Sequence, residues 1–235
     1  MSEVLRATDL LLAQRTPRRP ASTLPGVGIA RAGLFLLAGA APVSAIAVHV
    51  AGWVPMRDSA MFAVAPLVLL AAVLLAQRSF EARWALQGAI AGLVAVLAYD
   101  AVRMPLVWLD IWPDFIPRMG GWITGAHGGD VGAGYAWRYL GDGAGIGLAY
   151  FAFCAVLLRS PWRALVRSCP IALSVFYGVF VWTGLIVTVA LPPHGQTLLF
   201  KLTPTSFGLS LLGHLIYGSV LGLFLRRHVL EHSEA

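Results

Sequence analysis

Apolar residues run along this chain in long continuous stretches, not in the every-second-residue alternation of a strand with one wet face. Six stretches, 32–53, 59–77, 86–109, 137–158, 170–191 and 206–225, each approach the ~20 residues that an α-helix needs to cross a hydrocarbon core. A chain in lipid has to satisfy its backbone hydrogen bonds internally, and continuous apolar runs do so as helices, whereas a barrel requires alternation. The pattern predicts an all-α fold, a polytopic integral membrane bundle of six helices. It divides the chain into a basic tail over 1–31, one transmembrane domain over 32–227 with a long connection at 110–136, and a short tail over 228–235.

Composition leaves no room for a soluble domain beside this bundle. Of 235 residues 58% are hydrophobic and 12% charged, about half the charged fraction of an ordinary soluble domain. The charges that remain are sided. Arg6, Arg15, Arg18, Arg19 and Arg31 precede the first run, Arg78 and Arg83 follow the second, Arg159, Arg163 and Arg167 follow the fourth, and Arg226 and Arg227 follow the sixth. The other side holds Arg57, Arg118 and Lys201, with Arg103 and Arg138 near its boundary, so the positive-inside rule puts both termini in the cytoplasm.

Topology accounts for the net charge of +6, and no nucleic-acid partner is needed to explain it. The lipid bilayer is the partner the sequence demands, with "RTPRRP" placed to touch anionic headgroups. Sixteen arginines against one lysine suggest a GC-rich bacterial genome, hence a multi-pass protein of the bacterial inner (cytoplasmic) membrane. The segment before the first run lacks the short apolar core of a signal peptide directly after its basic residues and is read as retained. Cys154 and Cys169 make no CxxC pair and are read as small apolar side chains on the reducing side.

Glycines recur at four-residue spacing inside the runs. Gly88 with Gly92, Gly141 with Gly145, Gly143 with Gly147 and Gly218 with Gly222 are small-xxx-small faces, where helix backbones approach one another. "GDGAGIG" is no nucleotide fingerprint, because no strand precedes it and the chain has no GK[ST]. Trp108 just precedes the 110–136 connection, which carries Trp112, Phe115, Ile116 and Trp122 at its start and middle, with Pro113 and Pro117 preventing a long helix. It is expected to lie along the outer surface or to dip between helices, and a dip implies a cavity.

Polar residues gather around this connection. Asp100 and Arg103 are three apart on the third run, and Arg138 and Asp142 four apart on the fourth, so each pair shares a face. Each charge facing lipid at mid-helix costs about 2.5–3.5 kcal/mol, so these side chains are expected to face inward or to snorkel to the interface, Arg138 most easily and Asp100 least. Pro105 adds a kink beside Asp100. His49 and His214 lie at comparable depth in the outer half, and in "GHLIYGSVLGLFLRR" His214, Tyr217 and Gly218 share a face. His127, Asp130 and His194 are the metal-ligand candidates of the outer connections. "HGGD" has no established ligand spacing, however, so neither a metal nor any other cofactor is assigned.

The third run "GAIAGLVA", the proline-ended fifth run "VFYGVFVWTGLIVTVALPP" and the closing "GHLIYG" resemble the YagU-like family of uncharacterised small bacterial inner-membrane proteins. The resemblance covers about the last two-thirds of the chain. It implies a multi-pass membrane protein with structural weight on His214, Tyr217 and Gly218, and it supplies no catalytic residue.

Three functions follow from the residues, in this order. The first is passage of a proton, ion or small solute through an outward-facing polar cavity, with Asp100 and Arg103 as gate or binding pair, Arg138, Asp142 and Tyr217 around them, and His214 as proton carrier. The second is an accessory or assembly subunit that docks a membrane-protein partner or a second copy of itself. The third is a membrane-embedded metal enzyme, which no hydrolase, redox or haem motif supports; the chain reads as a non-enzyme.

Overall fold

A computed structural model describes residues 25–231, and those residues form helices with no strand among them. In chain order the helices are α1 (Pro25–Val50), α2 (Met56–Ala76), α3 (Phe80–Trp108), α4 (Ile116–Thr124), α5 (Val131–Leu158), α6 (Arg163–Ser168), α7 (Pro170–Ala190), α8 (Gly195–Leu198) and α9 (Pro204–Glu231). Six of them, α1, α2, α3, α5, α7 and α9, are long and apolar enough to span a membrane. The protein is a multi-pass helical membrane protein. Because the spans are even in number, the start of α1 and the end of α9 lie at the same end of the bundle, the arginine-rich end.

Two spanning helices start well before their apolar runs because capping chemistry, not hydropathy, sets those starts. Ser79 Oγ accepts the Ala82 N–H at 3.1 Å and starts α3 six residues before the run. Asp130 Oδ1 accepts the Ala133 N–H at 2.9 Å and starts α5 at Val131, inside the segment expected to be a connection. Pro170 opens α7 at a position where a missing N–H costs nothing. α1 begins within the expected N-terminal tail and α9 runs through Glu231 into the expected C-terminal one. The rest of both tails, including the "RTPRRP" segment, lies outside the described residues.

The 110–136 connection is also more ordered than a surface tether. It contains α4 and the first turns of α5, joined by a tight turn in which Gly125 (φ +84°) and Gly129 (φ +87°) take left-handed conformations. Gly120 and Gly134 let α4 lie directly on the start of α5: a Cβ on either would collide with backbone of the other helix. The glycine-rich sequence therefore makes a compact helix–turn–helix.

α3 and α5 form the centre of the bundle. The glycines of "GAIAG" and "GDGAGIG" meet there, Gly88 against Gly147 and Gly92 against Gly143, while Gly145 meets Gly39 of α1 and Gly141 meets Pro42. On the other flank Gly218 and Gly222 of α9 take the backbone of α7 at Ser174 and Ile171. The main core, with Trp84, Tyr150, Phe151 and Leu221, fills the space between α3, α5 and α9. A second cluster of Ile46, Val50, Met56, Ile116, Met119, Val189, Leu199 and Phe200 closes the end opposite the arginines.

Three buried polar side chains of the inner half, Glu81, Tyr150 and Ser174, find partners close by. Tyr150 Oη and Ser174 Oγ are 2.7 Å apart, and Ser174 Oγ also donates to the Pro170 carbonyl at 2.8 Å. Glu81, buried at the start of α3, pairs with Arg159, whose guanidinium also sits 4.3 Å from the Phe80 ring centroid.

Candidate functional site

The charged residues of the outer half are bonded between elements, not along one helix. Arg138 of α5 reaches Asp100 of α3 with Nε, at 3.0 Å from Oδ1 and 2.8 Å from Oδ2, and adds a further bond through Nη2. The guanidinium also lies 4.9 Å from the centroid of the Tyr99 ring. Asp100 is thereby committed to Arg138, and the expected Asp100–Arg103 pair does not form. A side chain three residues away on the same helix lies alongside Asp100, whereas Arg138 faces it across the α3–α5 contact that the glycines bring close.

Arg103 turns instead to Asp114, in the connection, with Nη2 at 2.6 Å from Oδ1. The same Oδ1 accepts the Ile116 N–H at 3.2 Å, capping the first turn of α4, and Oδ2 accepts the Tyr135 hydroxyl at 2.9 Å. One carboxylate thus ties α3, α4 and α5 together. Burial opposes ionisation of Asp114, but the hydrogen bond and charge of Arg103, with the bonds from Tyr135 and Ile116, outweigh it and hold the carboxyl below its ordinary pKa.

Asp142 is different. It lies within the π-helical stretch Trp137–Gly145 of α5, and its Oδ1 is buried without a hydrogen-bond partner among the described residues. Arg138, four residues earlier, is engaged by Asp100 and makes no hydrogen bond to it. Tyr217 of α9 donates to the Gly143 carbonyl at 2.7 Å, so the neighbouring residue of the same stretch is bonded while Asp142 is not. His214 Nδ1 lies 2.7 Å from the Ser210 carbonyl, which can only accept, so Nδ1 carries the proton and Nε2 remains an acceptor. Trp112 Nε1 is a second buried group without a partner.

These groups border a cavity of about 570 Å³. Tyr99, Arg103, Arg138, Asp142, His214 and Tyr217 make its polar wall, and Asp100 stands behind that wall, outside the lining. Most of the remaining lining is apolar. The roof at the outer end is Trp112, Phe115, Leu199 and Phe200, and all of these except Phe115 are buried. The exposed members of the lining are Ser44 of α1 and Phe180, Thr183, Gly184 and Val187 of α7. They place the mouth on the side of the bundle, between α1 and α7, which share the cluster of Ile46, Val50 and Val189 beyond it. Phe180, 66% exposed, stands at its rim, and a Cβ on Gly184 would meet nothing within 4 Å.

The remaining candidates lie elsewhere. His127 and His194 are exposed, Asp130 is the N-cap of α5, and among the described residues no three His, Cys, Asp or Glu side chains are placed to hold a metal ion. His49 Nδ1 accepts the Met56 N–H at 3.2 Å and its ring packs on Trp122 at 4.6 Å, so it braces the α1–α2 turn. Asp114, Tyr135, Tyr99 and the roof residues Leu199 and Phe200 were not singled out from the sequence, whereas Trp112 and Phe115 were noted as apolar members of the connection. Asp114 had one signal, since "WPDF" places an aspartate two residues before a helix start, where an Asx cap belongs.

Fold and site together define a six-span helical membrane protein with a side-opening intramembrane cavity. Comparison with protein-family models, with curated proteins and with solved structures found no match.

Proposed function

We propose that the protein binds a small, mainly apolar solute taken sideways from the bilayer, as the first step of its passage toward the end of the bundle opposite the arginines. The observation that carries this reading is the cavity walled by five of the six spanning helices, apolar over most of its surface and polar on one wall. Its volume is in the range that accommodates a small organic ligand.

A continuous proton or ion path has less support. Its polar groups would have to run from end to end, whereas here they gather on one side beneath a roof of Trp112, Leu199 and Phe200. The exposed apolar faces of α2 and α7 are what the bilayer itself covers, and they give no separate support to a docking subunit. Nor do the scattered His127, Asp130 and His194 support a metal enzyme. The sided arginines support a cytoplasmic location for both termini and, with the composition, the bacterial inner membrane.

The reading is tested with dibenzyl ether, a neutral apolar probe, by equilibrium dialysis of the purified protein against empty micelles. Saturable one-to-one binding is expected, together with its loss in Gly184→Trp, where the new side chain fills the mouth while thermal stability is retained. Uptake no greater than that of empty micelles would retire the proposal.

A further inference from the structure

The polar wall is unevenly paired in a way that specifies the solute. Asp100 and Asp114 each have a guanidinium partner, Arg138 and Arg103 respectively, and Asp142 has none. The His214 Nδ1 proton is directed to the Ser210 carbonyl, and the Tyr217 hydroxyl is spent on the Gly143 carbonyl. The wall therefore offers one carboxyl that no guanidinium engages among the described residues.

Around it the cavity presents aromatic rings, among them Tyr99, Trp112, Tyr177, Phe180, Phe200 and Tyr217. Aromatic faces attract a cation and tolerate an apolar body, which is how quaternary and protonated amines are held in aromatic cages. A bare metal ion would need several oxygen ligands, and this wall does not gather them. An anion would meet Asp142 with both nearby guanidiniums already engaged.

Building on the solute-binding reading, we infer that the cavity is selective for a lipophilic monocation, an organic ammonium whose N–H is donated to Asp142 and whose apolar groups lie among the aromatic rings toward the α1–α7 mouth. Asp142 is then the counterion of the ligand and its π-helical stretch is what turns an acid into the cavity. Such a stretch widens the helix locally and recurs at functional sites.

The test compares dibenzylamine, protonated at pH 7.5, with dibenzyl ether, its neutral counterpart of nearly the same shape, on the wild type, Asp142→Asn and Gly184→Trp. Because Asp142 has no partner to lose, Asp142→Asn should fold, and a thermal melt of each variant confirms this before binding is read. The wild type should bind the amine about tenfold or more tightly than the ether, since the amine makes a charge-assisted hydrogen bond. Asp142→Asn should remove that preference, bringing the amine down to the affinity of the ether on the same variant, and Gly184→Trp should abolish both. Equal affinity for the two probes, both lost in Gly184→Trp, would overturn the ammonium inference and leave the cavity reading standing. Unchanged amine affinity in Asp142→Asn would overturn it as well. Failure of the wild type to bind either probe would overturn both.

Discussion

Arg138 holds Asp100 across the α3–α5 contact with two bonds from Nε, of 3.0 and 2.8 Å, and a third from Nη2, while Arg103, three residues from Asp100 on its own helix, is held by Asp114. Removing one member of a buried pair leaves an uncompensated charge, so Asp100→Asn or Arg138→Gln alone should cost about 3–5 kcal/mol. The double variant Asp100→Asn, Arg138→Gln should recover most of that loss. Combining Asp100→Asn with Arg103→Gln should give additive losses instead, because the two side chains have different partners. Unfolding in detergent measures all of these, and rescue by Arg103→Gln would contradict the pairing.

Asp114 makes the outer end acid-sensitive. Its folded-state pKa is held below that of the unfolded chain, near 3.9 for an aspartate, so its contribution is fully present above that value. The contribution drains away as the pH falls through the lower, folded-state value. The difference in melting temperature between wild type and Asp114→Asn should stay constant from pH 7 to about pH 5 and shrink below about pH 4. A difference unchanged at the acid end would mean that Asp114 acts only as a hydrogen-bond acceptor.

The glycines divide by what surrounds them. A Cβ on Gly88 or Gly147 would press into the backbone of the opposite helix, whereas one on Gly33 or Gly184 would meet nothing within 4 Å. Gly88→Ala and Gly147→Ala should each destabilise by about 1–3 kcal/mol through overpacking. Gly33→Ala and Gly184→Ala should be neutral, or stabilising by up to about 1 kcal/mol from helix propensity. The order of melting temperatures checks this, and equal effects at all four positions would refute the α3–α5 close approach.

Orientation can be read chemically. In a background without Cys154 and Cys169, a cysteine at Gly128, in the turn between α4 and α5, should react with an impermeant thiol reagent in intact cells. A cysteine at Arg163, in α6 at the arginine-rich end, should react only after the membrane is opened. The reverse result would invert the assignment of sides.

The six spans were legible because apolar runs of membrane length have few other uses. Their ends were less so. Hydropathy marks where lipid begins, while Ser79 and Asp130 mark where the backbone begins to coil, and in α3 and α5 these points differ by about six residues. Asp100, Arg103, Arg138, Asp142, His214 and Tyr217 stood out in the sequence because polar side chains in an apolar run are costly. Which of them bond one another did not, since helix spacing relates neighbours on one helix and the bonds cross from α3 to α5 and to the connection. The mouth was invisible for a similar reason: it is the gap left where α1 and α7 part, and no residue on either helix encodes a gap alone.

A side mouth changes which concentration matters. A solute reaching Phe180 and Gly184 arrives from hydrocarbon, so occupancy follows its abundance in the leaflet, not in the surrounding water. Each methylene adds about 0.8 kcal/mol to transfer out of water, so two of them enrich a solute at the mouth by about fifteenfold with no new contact to the protein. Apparent potency measured from the aqueous phase would then rise along a homologous series even where affinity for the cavity is constant. The membrane acts as a prior filter on greasiness, which leaves Asp142 to discriminate by charge.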